Sequence, residues 1–445
     1  MEKETELKRG LGFRECLVMG IGGMMGSAIF IFTGSTGMLA GPSSILAWLT
    51  AGVLMMAIAL CYTELAIAFP KAGGPAVYPY ETFGKNKTVR SFFSYLEGIC
   101  FFLGWTLCVT ISGLGIAYYL AIMIPGAAGH TISIAITAIL LCYVINLLGV
   151  TLTGKSNLIL TAILLCIIII FIASGISHAK PASYHPFFKG GGMGFVASVA
   201  LAVGAFGAWT GITTAIEEVK EPEKNVPRAI LLSLIITTII YTLIVIALHG
   251  TVDASEFVEG NRVMLAPLGY ASEKIGYVWL SRYLLPMAAV IAIFTTMLIG
   301  VFSIGRIFLA MGRSEVLPKA CAKVNKRFKT PWVGLTIAAV ASIAFACFPQ
   351  YFFKIIVVAM VIGTGLPYGI NIVAFIRLRH YRKDVKPTFR APGGYALPAI
   401  AFVVLGISMI GLGLMEIVWS LIALAIIGLY FVIRYFTHPE IFRRS

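Results

Sequence analysis

The chain has 445 residues, 59% of them hydrophobic and only 12% charged, with a mean hydropathy of +0.93 and a formal net charge of +15. A soluble domain carries about 25% charged residues, so a water-soluble fold is excluded. The apolar residues fall in runs of about 20, the length that crosses roughly 30 Å of hydrocarbon. Lipid offers the backbone no hydrogen-bond partners, so these runs are read as helices.

In chain order the expected spans are 15–39, 44–69, 92–123, 131–150, 156–177, 195–216, 229–250, 283–311, 332–348, 354–379, 396–415 and 417–436. The first run follows a short polar, mixed-charge stretch without a small-residue cleavage pattern, so it is expected to be a retained helix and not a removed signal. With the N-terminus in the cytoplasm, 28 of the 34 Lys and Arg fall on cytoplasmic segments, and Lys180, Lys189, Arg262, Lys274, Arg282 and Lys354 lie outside. The positive-inside rule accounts for that split with both termini cytoplasmic, and nucleic acid needs no place as a partner. Segment 251–282 has room for short helices covering an outer vestibule.

The eight cysteines form no CxxC or Cys/His pair, so no metal site is expected. The histidines lie outside or at the ends of spans, where none pairs for haem ligation or serves a serine as base. Neither a cofactor nor an enzymatic reaction is indicated. An ion channel is the alternative of a different class, since broken helices can line pores, although a channel would usually need a symmetric ring or a repeated pore motif.

Two spans are interrupted by glycine clusters: Gly20, Gly22, Gly23 and Gly26 in the first, and Gly204, Gly207 and Gly211 in the sixth. Each glycine costs a helix interior about 1 kcal/mol relative to Ala. If spans 1–5 and 6–10 are two repeats, the interruptions correspond, and paired broken helices point to a midplane binding site. A break frees amides and carbonyls. The half-helix beginning at Gly26, Ser27 and Ala28 would aim its amides at a carboxylate, while carbonyls of Ile21, Gly22 and Phe206 would face an ammonium. Met24, Gly204, Trp209 and Thr210 complete the expected binding set. The plainer explanation of such glycines is close helix packing. Glu64 and Glu97 lie inside apolar runs, about 9–10 Å from the cytoplasmic loops on a helical rise. They are candidates for gating or proton coupling, or for structural pairing with loop Lys or Arg. Glu217 and Glu218 end the sixth span opposite basic segments that include Arg9 and Arg228, an arrangement suited to an inner gate or to a plain solvated boundary. The interrupted spans place no acid at midplane, which argues against a polyamine cargo.

At these residues the sequence resembles the amino acid–polyamine–organocation transporters, particularly their L-type and cationic-type amino acid permeases. The string GGMMGSAIF (22–30) is similar to that family's G-x-x-x-G-S-G-I-F, with Ala28 in place of a glycine. CYTELAIAFPKAGGPAVYPYETFG (61–84), AWTGITTAIEEVKEPEKNVPRAI (208–230) and GRSEVLPKACAKVNKRFKTPWVGL (312–335) resemble three further family motifs in the family's order. The resemblance implies an all-α integral membrane protein of twelve transmembrane helices with the leucine-transporter fold. That fold is a five-plus-five inverted repeat (about 15–177 and 195–379) with discontinuous helices 1 and 6, plus two peripheral helices (about 396–436). It implies a single transmembrane domain, transport of an amino acid by alternating access at the cell membrane, Gly26, Ser27 and Ala28 as carboxylate-binding positions, and lipid as the surrounding partner. A proton-coupled symporter or an amine transporter of the same superfamily is the alternative, and monomer or homodimer stays open. Two departures bear on mechanism. Gly204 stands where relatives carry an aromatic lid, so Phe206 or Trp209 substitutes or the pocket is larger. Leu164 stands where proton-coupled and L-type relatives often carry a lysine, which favours exchange, uniport or coupling through another group.

Overall fold

The computed structural model describes residues 7–253, 255–259, 262–263, 266–349, 363, 365–408 and 414–439, and these are almost entirely helical. The first expected span is two helices, α1 (Phe13–Met24) and α2 (Ser27–Ala40), separated by Met25 and Gly26. Glu15 starts α1: its Oε2 accepts from the Gly12 amide at 2.9 Å, and its charge lies in the first turn, where the helix dipole favours it. After α3 (Ser44–Ala68), the motif at 61–84 continues into a short helix, α4 (Gly74–Thr82). α5 (Lys87–Met123) is capped by Asn86, whose Oδ1 accepts from the Thr88 and Val89 amides. α6 (Thr131–Leu147) ends before Gly149, which turns the chain at φ 123° and lets α7 (Val150–Ser177) begin earlier than expected.

The sixth expected span is also divided. α8 (Gly191–Gly204) stops at Ala205, a 3₁₀ turn covers Gly207–Trp209, and α9 (Thr210–Thr214) leads into a second 3₁₀ turn, Ile216–Glu218. α10 (Pro222–Thr251) follows. Segment 251–282 holds a two-residue hairpin, β1 (Val258–Glu259) paired with β2 (Arg262–Val263), and the short helix α11 (Pro267–Lys274). Partial burial raises the Glu256 carboxyl of this segment, but bonds from Lys274, Tyr270 and the Asp253 amide outweigh it and hold it at about 2. The remaining helices are α12 (Leu285–Arg313), α13 (Trp332–Ala346), α14 (Leu366–Tyr381), α15 (Ala396–Ser408) and α16 (Leu414–Thr437). Among the described residues, eight helical stretches are long and apolar enough to cross a membrane, and three more are apolar but shorter. The first part of the expected span 354–379 and the junction of the last two spans lie outside the described residues.

Lipid tails are as apolar as leucine, so packing and polar ties, not hydrophobic exclusion, hold such helices together. α12 is the most enclosed element, buried almost without interruption from Ala292 to Gly312 against α1, α5, α7 and α13. Small residues allow the approach. A Cβ on Gly300 would lie 2.7 Å from the Trp105 ring, and one on Gly52 would lie 2.1 Å from Thr238 Oγ1. α5 meets the residues before α14 backbone to backbone: a Cβ on Gly104 would lie 2.3 Å from the Gly363 Cα.

Candidate functional site

The break between α1 and α2 consists of Met25 (ψ 47°) and Gly26 (ψ −151°), both outside the helical range. Gly26 has φ −90°, which any residue adopts, so its glycine answers a steric need: a Cβ there would lie 2.3 Å from Thr296 Oγ1. The other glycines of the cluster each face a different helix. Gly20 abuts Ser233 of α10, Gly22 abuts Asn157 and Thr161 of α7, and Gly23 abuts Ile299 of α12 and Ala208. Packing and unwinding are therefore both present at this span, with unwinding confined to two residues.

The carbonyls that the break exposes are already engaged. Thr295 Oγ1 donates to the Gly22 carbonyl at 2.8 Å, Thr296 Oγ1 donates to the Gly23 carbonyl at 2.7 Å, and the Tyr241 hydroxyl donates to the Met24 carbonyl. The Ile21 carbonyl accepts from the Met25 amide at 2.9 Å. An ammonium would meet Ile21 and Gly22 only by sharing these carbonyls, which differs from the open carbonyls the sequence suggested. The reason is that α12 and α10 bring hydroxyls to the break. On the other side, α2 starts on Gly26 with no side-chain cap, so the first amides of the helix, from Ser27 onward, have no partner within it.

The second break is tighter than the first: Phe206 (φ −98°, ψ 6°) leads into a 3₁₀ turn instead of an extended residue. Its two large rings are fully buried. Phe206 packs against Trp48 and Tyr241 with ring centroids 6.4 and 5.1 Å away, and Trp209 stacks on Tyr368 at 6.2 Å and meets Tyr62 edge-on at 5.2 Å. Thr210 is buried, and its hydroxyl donates to the Gly207 carbonyl at 2.9 Å. Ala28, Gly204 and Gly207 are only half-buried, although Ile29, Val203, Ala205, Phe206 and Ala208 around them are buried. Leu164 is fully buried, one turn along α7 from the Thr161 that touches Gly22. Thr295, Thr296, Tyr241, Asn157 and Thr161 were not expected at the site. Their one sequence signal is polarity inside apolar runs.

At the basic end of the bundle, Glu218 and Arg306 form a two-bond pair, Nε to Oε2 at 2.7 Å and Nη2 to Oε1 at 2.9 Å, with both side chains 0% exposed. The Arg306 guanidinium also lies over the Phe302 ring. Glu217 accepts from Arg313 Nη1 at 2.8 Å and from the Ala72 amide at 3.0 Å. The partners are therefore Arg306 and Arg313 of α12, not Arg9 and Arg228. The N-terminal segment closes over this pair: the Gly10 and Leu11 amides donate to the Glu218 carbonyl, and the Lys220 amide donates to the Leu11 carbonyl. Glu64 is paired, accepting two bonds from Arg379 and one from the Ala391 amide. Among the described residues Glu97 meets no cation, and it accepts from Asn371 Nδ2 at 2.7 Å.

The turn between α3 and α4 is fitted against the same end. Gly73 is left-handed (φ 76°), its amide donates to the Thr214 carbonyl, and a Cβ there would lie 2.3 Å from the Arg306 carbonyl oxygen. Gly73→Ala is expected to lower the melting temperature in detergent well beyond Gly84→Ala. Gly84 shares the left-handed backbone (φ 88°), but its Cβ would have 3.6 Å of clearance. Gly84→Ala then measures backbone strain alone, about 1–2 kcal/mol. Equal melting of the two variants would show that the approach to Arg306 is not tight.

Comparison with known proteins shows the family. The amino acid permease family profile matches residues 11–434. The chain is 27% identical to a branched-chain amino acid permease of Bacillus subtilis (strain 168), over 96% of this chain and 94% of that protein. It is 28% identical to a methylthioribose transporter of the same organism, over 90% of this chain and 87% of that protein. It is 26% identical to a vacuolar cationic amino acid transporter of Arabidopsis thaliana, over 87% of this chain and 66% of that protein. With a match across nearly its whole length, apolar helices able to span a membrane and relatives that are transporters and not enzymes, the chain belongs to the amino acid permease family of the amino acid–polyamine–organocation superfamily.

Proposed function

We propose that the chain is a secondary active transporter that carries neutral, zwitterionic amino acids across the cell membrane by alternating access around the two helix breaks. One observation carries the reading: both interrupted spans break and meet near their breaks, with Ala208 against Gly23 and the uncapped α2 amides alongside. Amides at a helix start suit a carboxylate, and hydroxyl-lined carbonyls suit an ammonium, so the cargo needs no side-chain countercharge. Ala28, Gly204 and Gly207 are the partly open positions beside it, with Phe206 and Trp209 as the enclosing rings and Met24 and Thr210 in the wall. The relatives' cargoes differ from one another, and the absence of a carboxylate among the described residues at the breaks favours a cargo of zero net charge.

The leucine-transporter architecture is supported by the pattern of contacts. Under exchange of spans 1–5 with 6–10, the α1–α10 contact maps onto α8–α3, the α7–α12 contact maps onto α14–α5, and α5–α12 maps onto itself, and all five are present. In this reading the basic end is cytoplasmic, Glu218 with Arg306 closes the inner path, and residues 15–177 and 195–379 are the repeats.

The test is uptake into proteoliposomes holding the full chain, with a panel of labelled amino acids and with internal amino acid, pH gradient and sodium varied separately. Saturable uptake of a neutral amino acid is expected. Non-saturating ion flux, or saturable uptake of polyamines with no amino acid taken up, would overturn the reading.

A further inference from the structure

Among the described residues three carboxyl groups, those of Glu64, Glu97 and Glu218, are 0–2% exposed between the helices, and they fall into two chemical classes. Glu64 and Glu218 each face a guanidinium that fills both oxygens. Glu97, in the first third of α5, has only the Asn371 amide of α14 on Oε1, at 2.7 Å, while its Oε2 has no partner. The second unpartnered atom in the same pair is Asn371 Oδ1. Both orphans are acceptors, and a single proton on Oε2 supplies the donor that is missing. The pair then becomes a carboxylic acid facing a carboxamide, with one N–H and one O–H available between them. Left ionised, the group would be a fully buried anion with one neutral hydrogen bond, an arrangement proteins avoid by neutralisation.

We propose that Glu97 and Asn371 form an intramembrane proton-binding site that couples proton movement to the transport cycle. The groups surrounding it are consistent with that role. Tyr62 of α3 shares Asn371 with Glu97 and packs on Tyr78 of α4 and Tyr368 of α14, and among the described residues no Lys, Arg or His is bonded to Glu97. The path to the cargo is short. Asn371 Nδ2 also donates to the Tyr62 hydroxyl at 3.0 Å, and the Tyr62 ring meets Trp209, which stacks on Tyr368. Trp209 Nε1 is itself buried without a partner among the described residues. Loss of the Glu97 proton creates an acceptor that draws this donor toward α5, so the protonation state biases where the Trp209 end of the second break rests. The proton binds to Oε2 as an O–H bond and leaves to water when that bond breaks. No other group changes its covalent state. This site supplies the coupling that Leu164 cannot.

The proposal rests on the transport reading for its flux measurement only, and a spectroscopic measurement stands apart from it. Infrared difference spectra of the full chain at neutral pH, wild type minus Glu97→Gln, are expected to show the carbonyl band of a protonated carboxylic acid. Glu97→Asp, which keeps a carboxyl, should retain the band at a shifted position. In proteoliposomes, labelled leucine and arginine are followed in parallel under an inward gradient of one pH unit. For one proton per cargo the wild type accumulates up to about tenfold, since about 1.4 kcal/mol is tenfold in concentration. Glu97→Gln, whose amide can replace the missing donor, should keep counterflow of the same amino acid and fall to no accumulation. A carboxylate signature in place of the acid band, or undiminished accumulation by Glu97→Gln, overturns the proposal. If neither amino acid is carried, the transport reading is at fault and the infrared result decides the protonation claim by itself.

Discussion

Arg306→Met is expected to weaken the closed arrangement of the basic end by about 3–5 kcal/mol, because it leaves Glu218 buried with its charge uncompensated. The pair has no exposed atoms to recruit water: both side chains are 0% exposed, and the N-terminal segment lies across the Glu218 carbonyl. In the ratio of closed to open molecules this is roughly two to three and a half powers of ten. Pairing Arg306→Met with Glu218→Leu should recover most of the loss, since exchanging both charges for apolar groups of similar volume is often neutral or better. Melting of the detergent-solubilised protein across this double-mutant cycle gives the coupling. A single variant that melts like the wild type would show that the pair does not hold the end shut. Accessibility of a cysteine placed at Ala208 to a reagent added from the basic side offers a second measure, with labelling faster in Arg306→Met.

The second large effect is expected from replacing Thr295 and Thr296 together with valine. The shape is kept and only two hydroxyls are lost, so the Gly22 and Gly23 carbonyls are left without their donors. An unsatisfied buried acceptor costs about 1–3 kcal/mol, and two on consecutive residues at the break should destabilise the broken geometry by about 2–6 kcal/mol. Loss of saturable uptake is expected, together with a lower melting temperature. Serine at both positions keeps the hydroxyls and should retain uptake. If the valine pair transports normally, the carbonyls are satisfied in another way and α12 does not support the break.

Much of the architecture was legible in the sequence, because apolar run length and backbone satisfaction leave little choice inside a bilayer. The division of the first span was also legible, but its cause was only half visible. Gly20, Gly22, Gly23 and Gly26 read as a helix that cannot hold, whereas each one makes room for a neighbour and only Met25 and Gly26 depart from helical geometry. A glycine gives the same signal in both roles. The charge partners were harder to read. Arg306 lies inside an apolar run and had counted as one more cytoplasmic positive charge, and its distance in sequence from Glu218 hides a pairing that the fold makes direct. Thr295 and Thr296 are hard to read from sequence because a hydroxyl in an apolar helix is usually satisfied by its own preceding turn. These two do bond to Ala292, and they reach the first span as well.

The contact of Gly104 with Gly363 leaves no side chain between two backbones. Any side chain placed at this crossing would force the two backbones apart. The crossing lies about two turns along α5 from Glu97, at roughly 1.5 Å per residue, and it ties α5 to the stretch that continues into Asn371. The contact therefore sets how near α5 stands to α14, and with it the separation of the acid from the amide.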